Sequence, residues 1–312
     1  MGGGSDNKYF YTKNEGKVLS LAINKYVYVI IKKHSHFFKE KFRLSYSEHE
    51  VVNSINKIKH NIIKECLNYT DTKKNIQIST FSDLPSLSGL GSSSAVTIGI
   101  LKGLFFLKNQ NYSNIELASM ACDIEINKLK KPIGKQDQYA TAIGGLNQFT
   151  FHKDESVSIQ NLNIKRSQLD YLMSNCCLYW TGLQRKADYV LNKQKSEYDE
   201  KTEKYIKQNV ILTDHLIKEL NKKKINLLNI SKLISESWIN KKKYSSIVSN
   251  DKIEKIYNQL INRDRYLGGK ICGAGSGGFY LLLKDPKIEY KANNNIVDFY
   301  PDFDGSKILY YD

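Results

Sequence analysis

A short stretch rich in glycine and serine, Pro85 to Ala95, constrains the fold of this chain more than any other feature. A run typical of a strand, Ile76–Phe81, precedes it, and a run typical of a helix, Ala95–Leu107, follows it. The stretch is therefore predicted to be a loop that opens a helix. Glycines let the backbone approach a ligand, and the first N–H groups of a helix attract anions. Two interpretations stay open on this pattern, a phosphate site and a serine-capped glycine turn.

The composition bounds the class of protein. A chain of 312 residues is long enough for a substantial core and two domains. Its formal charge of +15 suits nucleic acid, an anionic membrane or phosphorylated small molecules, but the lysines are scattered and the helices mix both signs of charge. We therefore expect no nucleic-acid partner and, because no apolar run reaches the length of a span, no membrane partner. Five cysteines without a CxxC spacing favour a reducing cytoplasm, and the sequence leaves a homo-oligomer open.

Apolar periodicity predicts strands and helices along the whole chain. Strands are predicted within Lys17–Lys33 and at Gln148–Phe151, Ser156–Gln160, Cys176–Trp180 and Phe279–Leu283. Helices are predicted at Glu48–Asn68, Asn114–Leu129, Gln184–Glu219, Leu227–Asn240 and Asp251–Arg265. Ser113 or Asn114 is the expected cap of the helix that starts there, with Glu116 in its first turn.

A second glycine-rich stretch lies near the C-terminus. Gly273, Gly275 and Gly278 satisfy the GxGxxG pattern of dinucleotide-binding folds. That pattern needs a following helix, whereas a strand-like run, Phe279–Leu283, comes directly after it. We therefore favour a glycine turn between two strands, one that can line a ligand site. A Walker A pattern is absent from the sequence.

The residues suggest how a nucleotide could be bound and used. A triphosphate needs N–H donors, a divalent cation and a protein ligand to that cation. The Gly-Ser loop offers donors and hydroxyls, and Glu125 on the next helix can reach the same cation. Asp137 can accept the proton of an attacking hydroxyl, while Lys135 can keep Asp137 ionised or neutralise the transferring phosphoryl group. The alternatives are a solvated carboxylate for Glu125 and a surface turn or N-cap for Asp137.

Three further segments have both a functional and an ordinary interpretation. Thr181 and Arg185 can bind an anionic substrate group, or they can belong to an ordinary turn with a solvated arginine. The loop Gly2–Asp6 can present a carboxylate to substrate hydroxyls, or it can be a disordered start. The run Lys241–Lys243 is interpreted as solvated, because charge runs usually are.

Three motifs together resemble those of the GHMP small-molecule kinases, a family that includes galactokinase, mevalonate kinase and homoserine kinase. The motifs are GGGSD at 2–6, PSLSGLGSSSA at 85–95 and KICGAGSGGF at 270–279. Within the family, the chain is most similar to the subgroup that phosphorylates D-glycero-D-manno-heptose 7-phosphate. The segments shared with that subgroup are Gln136–Ala140 with Gly144 and Gly145, Thr181–Arg185, Ser237–Trp238 with a lysine pair downstream, and Val248–Asp251. This likeness spans essentially the whole chain.

The resemblance implies an α+β fold of two domains with the active site in the cleft. Residues 1–165 would form a ribosomal-protein-like ATP-binding domain, and residues 166–312 a ferredoxin-like domain. It also implies a kinase that uses ATP and Mg²⁺ on a sugar phosphate. The anomeric hydroxyl of heptose 7-phosphate would attack the γ-phosphate and give the 1,7-bisphosphate used for activated heptose in surface polysaccharide. A kinase for an unphosphorylated sugar of the fucose or galactose type stays open.

The resemblance also assigns roles to single residues. The residues implied to bind the ATP phosphates are Pro85, Gly89, Leu90, Gly91, Ser92, Ser93 and Ser94, with Ser93 and Glu125 near Mg²⁺. The residues implied to act in catalysis are Asp137 and Lys135. The residues implied to bind the substrate are Gly4, Ser5, Asp6, Thr181, Arg185, Gly273 and Gly275.

One feature departs from the family pattern. Family members have about one strand before the GGGSD motif, whereas this sequence starts at the motif. Either the start is trimmed or misassigned, or the protein lacks that strand. A missing edge strand would leave backbone groups unpaired and weaken the fold and phosphate binding. An inactive relative is therefore a further alternative.

Overall fold

The computed structural model describes residues 1–73 and 75–311, and contacts divide the chain into two units. Unit 1 comprises Met1–Asn24, Leu87–Leu90 and Leu146–Pro301. Unit 2 comprises Lys25–Ser86, Gly91–Gly145 and Asp302–Asp312. The Gly-Ser loop thus contributes residues to each unit. Each unit is made of separate segments of the chain. The domain boundary expected after residue 165 stays a prediction.

The elements follow the mixed pattern expected of an α+β fold. The strands are β1 (Gly16–Leu21), β2 (Val27–Lys33), β3 (Phe42–Ser45), β4 (His49–Val52), β5 (Ile76–Ser82), β6 (Leu146–Phe151), β7 (Val157–Asn161), β8 (Cys176–Trp180), β9 (Gly268–Ile271), β10 (Phe279–Leu283) and β11 (Ile296–Val297). The α-helices are α1 (Lys8–Tyr11), α2 (Asn61–Tyr69), α3 (Ser92–Phe106), α4 (Asn114–Cys122), α5 (Gln136–Ile143), α6 (Arg166–Ser174), α7 (Ala187–Ser196), α8 (Glu200–Leu220), α9 (Leu227–Lys241) and α10 (Asp251–Asn258). A 3₁₀ turn (Ile55–Lys57) and two π-helical segments (Asp123–Lys128 and Gln259–Arg263) complete the list.

Unit 2 packs helix α3 closely onto its sheet. The strand order is β2-β5-β3-β4, with β3 parallel to β5 and the other pairs antiparallel. Gly99 and Gly103 lie one turn apart on one face of α3. A Cβ atom on Gly99 would lie 2.7 Å from Val29, and one on Gly103 would lie 2.8 Å from Ile31. These glycines let α3 approach β2, and this contact fixes the helix whose first turn contains the serines.

Unit 1 contains two antiparallel sheets, in the orders β1-β6-β7 and β11-β8-β10-β9. Its core includes the fully buried side chains of Trp238 on α9 and Tyr280 on β10. The second glycine-rich stretch connects β9 to β10, which pair as a hairpin. The prediction of a glycine turn between strands is therefore confirmed.

One predicted helix is wrong in its first half. The segment Glu48–Asn68 contains strand β4 and a 3₁₀ turn, and it becomes α-helical only at Asn61. Val52 pairs with Phe42 of β3, and β-branched residues such as Val51 and Val52 favour a strand. Apolar spacing alone did not separate strand β4 from the 3₁₀ turn and helix α2 that follow it.

The other predicted elements need smaller corrections. Ser113 caps α4 and forms a capping box with Glu116, as predicted. The single helix predicted for Gln184–Glu219 is two helices, because the chain breaks after Ser196 and Asp199 caps α8. All five cysteines are free thiols, and the adjacent Cys176 and Cys177 are both buried. Across residues 1–73 and 75–311, none of the helices combines the length and the apolar character needed to cross a membrane.

Candidate active site

The serine-rich end of the Gly-Ser loop forms the first turn of α3 in unit 2. Gly91 precedes the helix with a φ of 73°, in the left-handed region that glycine adopts without strain. No side chain caps the helix, so Ser92, Ser93 and Ser94 open it with N–H groups that have no side-chain acceptor. The alternative of a serine-capped turn is wrong. An uncapped start of a 15-residue helix attracts anions through these N–H groups and the helix dipole.

A buried carboxylate, that of Glu125, lies against this first turn. Glu125 belongs to the π-helical segment after α4 and has 0% exposure. Ser93 donates its hydroxyl to Oε1 at 2.5 Å, and Ser94 donates to Oε2 at 2.8 Å. Gln138 of α5 donates its amide to Oε2 at 2.9 Å. The alternative of a solvated carboxylate is therefore wrong, because donors from unit 2 surround both oxygens.

The ammonium group of Lys131 contacts both Ser93 and Glu125. Its Nζ atom donates to Ser93 Oγ at 2.7 Å and to Glu125 Oε1 at 2.9 Å. A hydroxyl and a carboxylate thus converge on one cation, and this donor pair suits Mg²⁺ when substrate phosphates complete its shell. Within the described ranges, no three His, Cys, Asp or Glu side chains are grouped to hold a metal by themselves. The site therefore fits a cation that is bound together with phosphates, with Lys131 as its stand-in.

Asp137 lies beside the glycine that precedes α3. A Cβ atom on Gly91 would lie 3.5 Å from Asp137 Cγ and 3.7 Å from Oδ2. Asp137 is in the first turn of α5, and Lys135 is the N-cap residue of that helix. The alternative of an N-cap role for Asp137 is therefore wrong. Unit 2 brings Asp137, the start of α3 and Glu125 to one place, as the sequence predicted.

The remaining residues of the predicted ATP loop divide between the units. Pro85 is exposed in unit 2, whereas Gly89 and Leu90 are partly buried in unit 1. In unit 1, a Cβ atom on Gly273 would lie 2.6 Å from the Cα atom of Gly89. This approach between the two glycine loops excludes any side chain at position 273. A role of these loop residues in phosphate binding stays a prediction.

The turn after β8 is tied to the loop between β9 and β10. Thr181 donates its hydroxyl to the carbonyl of Gly278 at 2.7 Å. Arg185 is 9% exposed and donates to the carbonyls of Gly275 and Cys272, the latter at 3.3 Å. The alternative of a solvated arginine is wrong, because the guanidinium group is held inside unit 1. The structure brings Thr181, Arg185 and Gly275 together, and their contact with a substrate stays a prediction.

The loop Gly2–Asp6 has a defined structure in unit 1. Asp6 is 2% exposed, and its Oδ1 atom accepts the N–H group of Gly4 at 2.9 Å. Ser5 is fully buried and donates its hydroxyl to the carbonyls of Gly2, at 2.7 Å, and Lys17, at 3.0 Å. The alternative of a disordered start is wrong. Ser5 shapes the loop, and the loop holds the Asp6 carboxylate inside the unit.

Sequence reasoning missed two lysines near these groups. Lys131 was not singled out, although it contacts both predicted metal ligands. Lys241 was assigned to a solvated run, but it is 8% exposed and donates its Nζ proton to the carbonyl of Gly273. Helical spacing contains the missing signal, because Ile234, Trp238 and Lys241 follow one another on the buried face of α9.

Comparison with known proteins identifies relatives along most of the chain. Residues 54–145 match the model of the GHMP kinases N-terminal domain. D-glycero-alpha-D-manno-heptose 7-phosphate kinase of Campylobacter jejuni is 32% identical over 302 residues, which cover 93% of this chain and 87% of that protein. A bifunctional fucokinase/GDP-fucose pyrophosphorylase of Arabidopsis thaliana is 25% identical over 241 residues, which cover 76% of this chain and 22% of that protein.

Solved structures share the fold. A putative sugar kinase from Campylobacter jejuni superposes with a TM-score of 0.70 at 27% identity, covering 93% of this chain and 88% of that one. A D-glycero-D-manno-heptose 1-phosphate kinase from Bacteroides thetaiotaomicron superposes with a TM-score of 0.73 at 24% identity, covering 99% and 96%. Galactokinase of Lactococcus lactis gives a TM-score of 0.66 at 15% identity, covering 89% and 82%. The last two likenesses concern the fold alone, and they confirm the predicted α+β class.

Proposed function

This chain belongs to the GHMP kinase family, and from that premise we propose that it phosphorylates the anomeric hydroxyl of D-glycero-D-manno-heptose 7-phosphate. GHMP kinases use ATP as the phosphate donor, and the chain is a sugar kinase with an alcohol group as acceptor. The activity named for the Campylobacter jejuni relative supports this sugar phosphate as the substrate. The product is then the 1,7-bisphosphate, which supplies activated heptose for surface polysaccharide.

The observation that carries the proposal is the arrangement at the start of α3. An uncapped helix start, a fully buried carboxylate and a second carboxylate meet within unit 2. We assign the N–H groups and hydroxyls of Ser92, Ser93 and Ser94 to the phosphates of ATP, together with the loop residues listed above. Ser93 and Glu125 would hold Mg²⁺, which neutralises charge on the phosphates when bound.

The chemical step needs one proton acceptor. The hydroxyl oxygen of the sugar forms a bond to the γ-phosphorus, and the bond from that phosphorus to the bridging oxygen of ADP breaks. We assign the proton released by the hydroxyl to Asp137. Lys135 lies two residues before Asp137 and adds positive charge that keeps the carboxylate ionised or neutralises the transferring group.

Unit 1 supplies the residues that we assign to the sugar phosphate. Asp6 has a carboxylate suited to sugar hydroxyls, and Gly4 and Ser5 fix the loop that holds it. Thr181, Arg185, Gly273 and Gly275 shape the second part of the substrate site. The five free thiols and the need for ATP favour the cytoplasm as the location of the reaction.

The experiment is a coupled assay of ADP release with purified protein, ATP and Mg²⁺. The acceptors are heptose 7-phosphate, the same heptose without phosphate, mannose, fucose and galactose. We expect ADP release to be fastest with heptose 7-phosphate. Release with none of the acceptors by a folded protein would contradict the proposal and support an inactive relative.

A second candidate is a kinase for an unphosphorylated sugar. The likeness over 241 residues to a plant protein with fucokinase activity in its name favours this alternative. The same assay distinguishes the two, since faster release with fucose or galactose than with heptose 7-phosphate would replace the first proposal by the second.

A further inference from the structure

Lys241 is a buried lysine with few partners. It ends helix α9, is 8% exposed, and donates one hydrogen bond, to the carbonyl of Gly273. An ammonium group has three N–H donors, and lysine is rarely buried unless its charge is paired. Within the described residues, neither Lys241 nor the nearby Lys270 forms an ion pair with a carboxylate. The direct partner of the buried Lys241 ammonium group is thus a neutral carbonyl, and no carboxylate of the described residues lies within ion-pair distance of it.

A comparison with Lys102 in unit 2 shows what a structural lysine looks like in this protein. Its Nζ atom donates to Asn114 Oδ1 at 2.8 Å, to the Ser306 carbonyl at 2.6 Å and to Ser306 Oγ at 3.4 Å. Burial alone lowers the pKa of Lys102. These hydrogen bonds go to neutral acceptors. Lys102 therefore holds the C-terminal segment without needing a ligand.

Lys241 differs because two other cationic side chains, those of Lys270 and Arg185, lie near it. Burial first, and then the positive charges of Lys270 and Arg185, lower the pKa of Lys241 to about 7. The carboxylate of Asp6 acts in the opposite direction and raises this pKa. A surplus of buried positive charge is unfavourable in the protein alone, and a bound anion would relieve it.

The loop 272–275 holds two of these cations by its carbonyl groups. Arg185 donates to the carbonyls of Cys272 and Gly275, and Lys241 donates to that of Gly273. Gln194 donates to the carbonyl of the remaining loop residue, Ala274, at 2.8 Å. These bonds fix the side chains of Arg185 and Lys241 to one short loop, so these two cations are held in place before a ligand binds.

We propose that Lys241, Lys270 and Arg185 form the site for the phosphate group that the sugar substrate already has. A guanidinium group matches two phosphate oxygens, and a lysine ammonium group adds a compact charge. Selection of a phosphorylated sugar over a free sugar then depends on this cluster. The inference rests on the proposed function, because it assigns the phosphate end of the same substrate to named residues in unit 1.

The test measures discrimination between two acceptors that differ only in the phosphate. Values of kcat/KM are determined for heptose 7-phosphate and for the unphosphorylated heptose with wild type, Lys241→Met, Lys270→Met and Lys243→Met. Lys243 is exposed in the same lysine run and provides the matched control. Lys270→Met provides the same test at a less buried position, should Lys241→Met fail to fold.

We expect Lys241→Met and Lys270→Met to lower kcat/KM for the sugar phosphate about 10- to 100-fold, through KM, as for loss of a hydrogen bond to a charged group. The value for the free sugar should stay within about twofold of wild type, since no phosphate is present to lose a charged contact. Lys243→Met should leave both values unchanged. Equal losses on both acceptors, or no loss on either, would overturn the inference.

A binding experiment without ATP gives an independent readout. Heptose 7-phosphate and inorganic phosphate are titrated calorimetrically into wild type and into the two cluster variants. We expect both ligands to bind wild type and to bind each variant more weakly, and equal binding by all three proteins would contradict the phosphate site. If wild type phosphorylates no sugar but binds phosphate in a Lys241-dependent way, the proposed function fails and the site stands. If wild type is active and the variants keep its preference for the phosphorylated sugar, the proposed phosphate site is wrong and the proposed function stands.

Discussion

Glu125 in unit 2 and Lys241 in unit 1 are both buried charged side chains near a glycine-rich loop, and the two charges are partnered in opposite ways. In unit 2, the Glu125 carboxylate accepts bonds from Ser93, Ser94, Gln138 and Lys131. In unit 1, the Lys241 ammonium group donates to one carbonyl and lies near two more cations. The first charge is satisfied by the protein, whereas the second is not.

The difference indicates two modes of binding. A buried carboxylate in contact with a hydroxyl and an ammonium group is a candidate cation site, because its carboxylate is already desolvated and a metal could take the place of the ammonium group. A buried ammonium group whose direct partner is one neutral carbonyl, as at Lys241, lowers the stability of the protein alone and would gain from an anion. The difference supports the two proposals made above, metal and triphosphate binding in unit 2 and binding of the sugar's phosphate group in unit 1.

The largest effect on the rate is expected for the proposed proton acceptor, Asp137, which is neither of these two buried charges. Asp137→Asn leaves Glu125 and Lys241 in place but removes the proposed proton acceptor. We expect kcat to fall by about 10²- to 10⁴-fold, the range for loss of a general base. ATP binding, measured by calorimetry, should be retained. A rate near that of wild type would remove Asp137 from the chemical step.

Glu125→Gln tests how much the buried carboxylate in unit 2 contributes to the stability of the protein. The substitution keeps the shape but removes the negative charge beside Lys131, which is 18% exposed at its side chain. We expect a loss of about 3 kcal/mol in the free energy of unfolding, as when one partner of a buried pair is removed. Chemical denaturation measures it, and Glu48→Gln, an exposed carboxylate of the same unit, is the control. Equal stability of the two variants would mean that Glu125 is not electrostatically coupled to its surroundings.

The pH dependence of the free energy of unfolding tests the buried charge of Lys241. The pKa of Lys241 is lowered from 10.5 to about 7 in the folded protein, so between these values the unfolded chain binds more protons and stability rises with pH. Below pH 7 the full cost of the buried charge is present. The groups that face Lys241 are Lys270, Arg185, Asp6, Cys272 and the amino group of Met1.

From pH 7 to pH 9, wild type should therefore gain about 2 kcal/mol of unfolding free energy relative to Lys241→Met. Denaturation at each pH measures this difference. Lys243→Met should follow wild type throughout. A constant difference between wild type and Lys241→Met across this range would show that Lys241 does not titrate there.

Ser93→Ala gives the smallest expected effect. Ser93 contacts both Glu125 and Lys131, whereas Ser94 contacts Glu125 without Lys131. We expect the Mg²⁺ concentration for half-maximal rate to rise about tenfold in Ser93→Ala, the loss of a weak metal ligand, and less in Ser94→Ala. Titration of the rate with Mg²⁺ measures both variants. Equal Mg²⁺ dependence of Ser93→Ala and wild type would argue against ligation by Ser93.

The sequence predicted the parts of the site that depend on local pattern. The Gly-Ser loop, the helix after it and the capped helix α4 follow from glycine, serine and apolar spacing. Glu125 was singled out for its position on the next helix, but its burial comes from the π-helical turn and from α5, which no local pattern specifies. The segment at 48–52 was misassigned because its strand pairing with β3 is a long-range contact.

Lys241 shows a different limit. Its neighbours Lys242 and Lys243 have the same chemistry, and composition does not say which of the three is buried. Tertiary packing decides, because α9 turns Lys241 toward the loop at Gly273 and leaves Lys243 exposed. A helical projection from Trp238 would have pointed to Lys241, but the cations that meet it come from β9 and from the turn after β8.

The most direct test of the central claim, phosphate transfer to the anomeric hydroxyl of a sugar phosphate, is ³¹P NMR of the complete reaction. Wild type is incubated with ATP, Mg²⁺ and heptose 7-phosphate until ADP has accumulated. We expect a second sugar phosphate resonance, coupled to the anomeric proton and equal in amount to the ADP formed. ADP accompanied only by inorganic phosphate, or a new phosphate coupled to any other sugar proton, would contradict it.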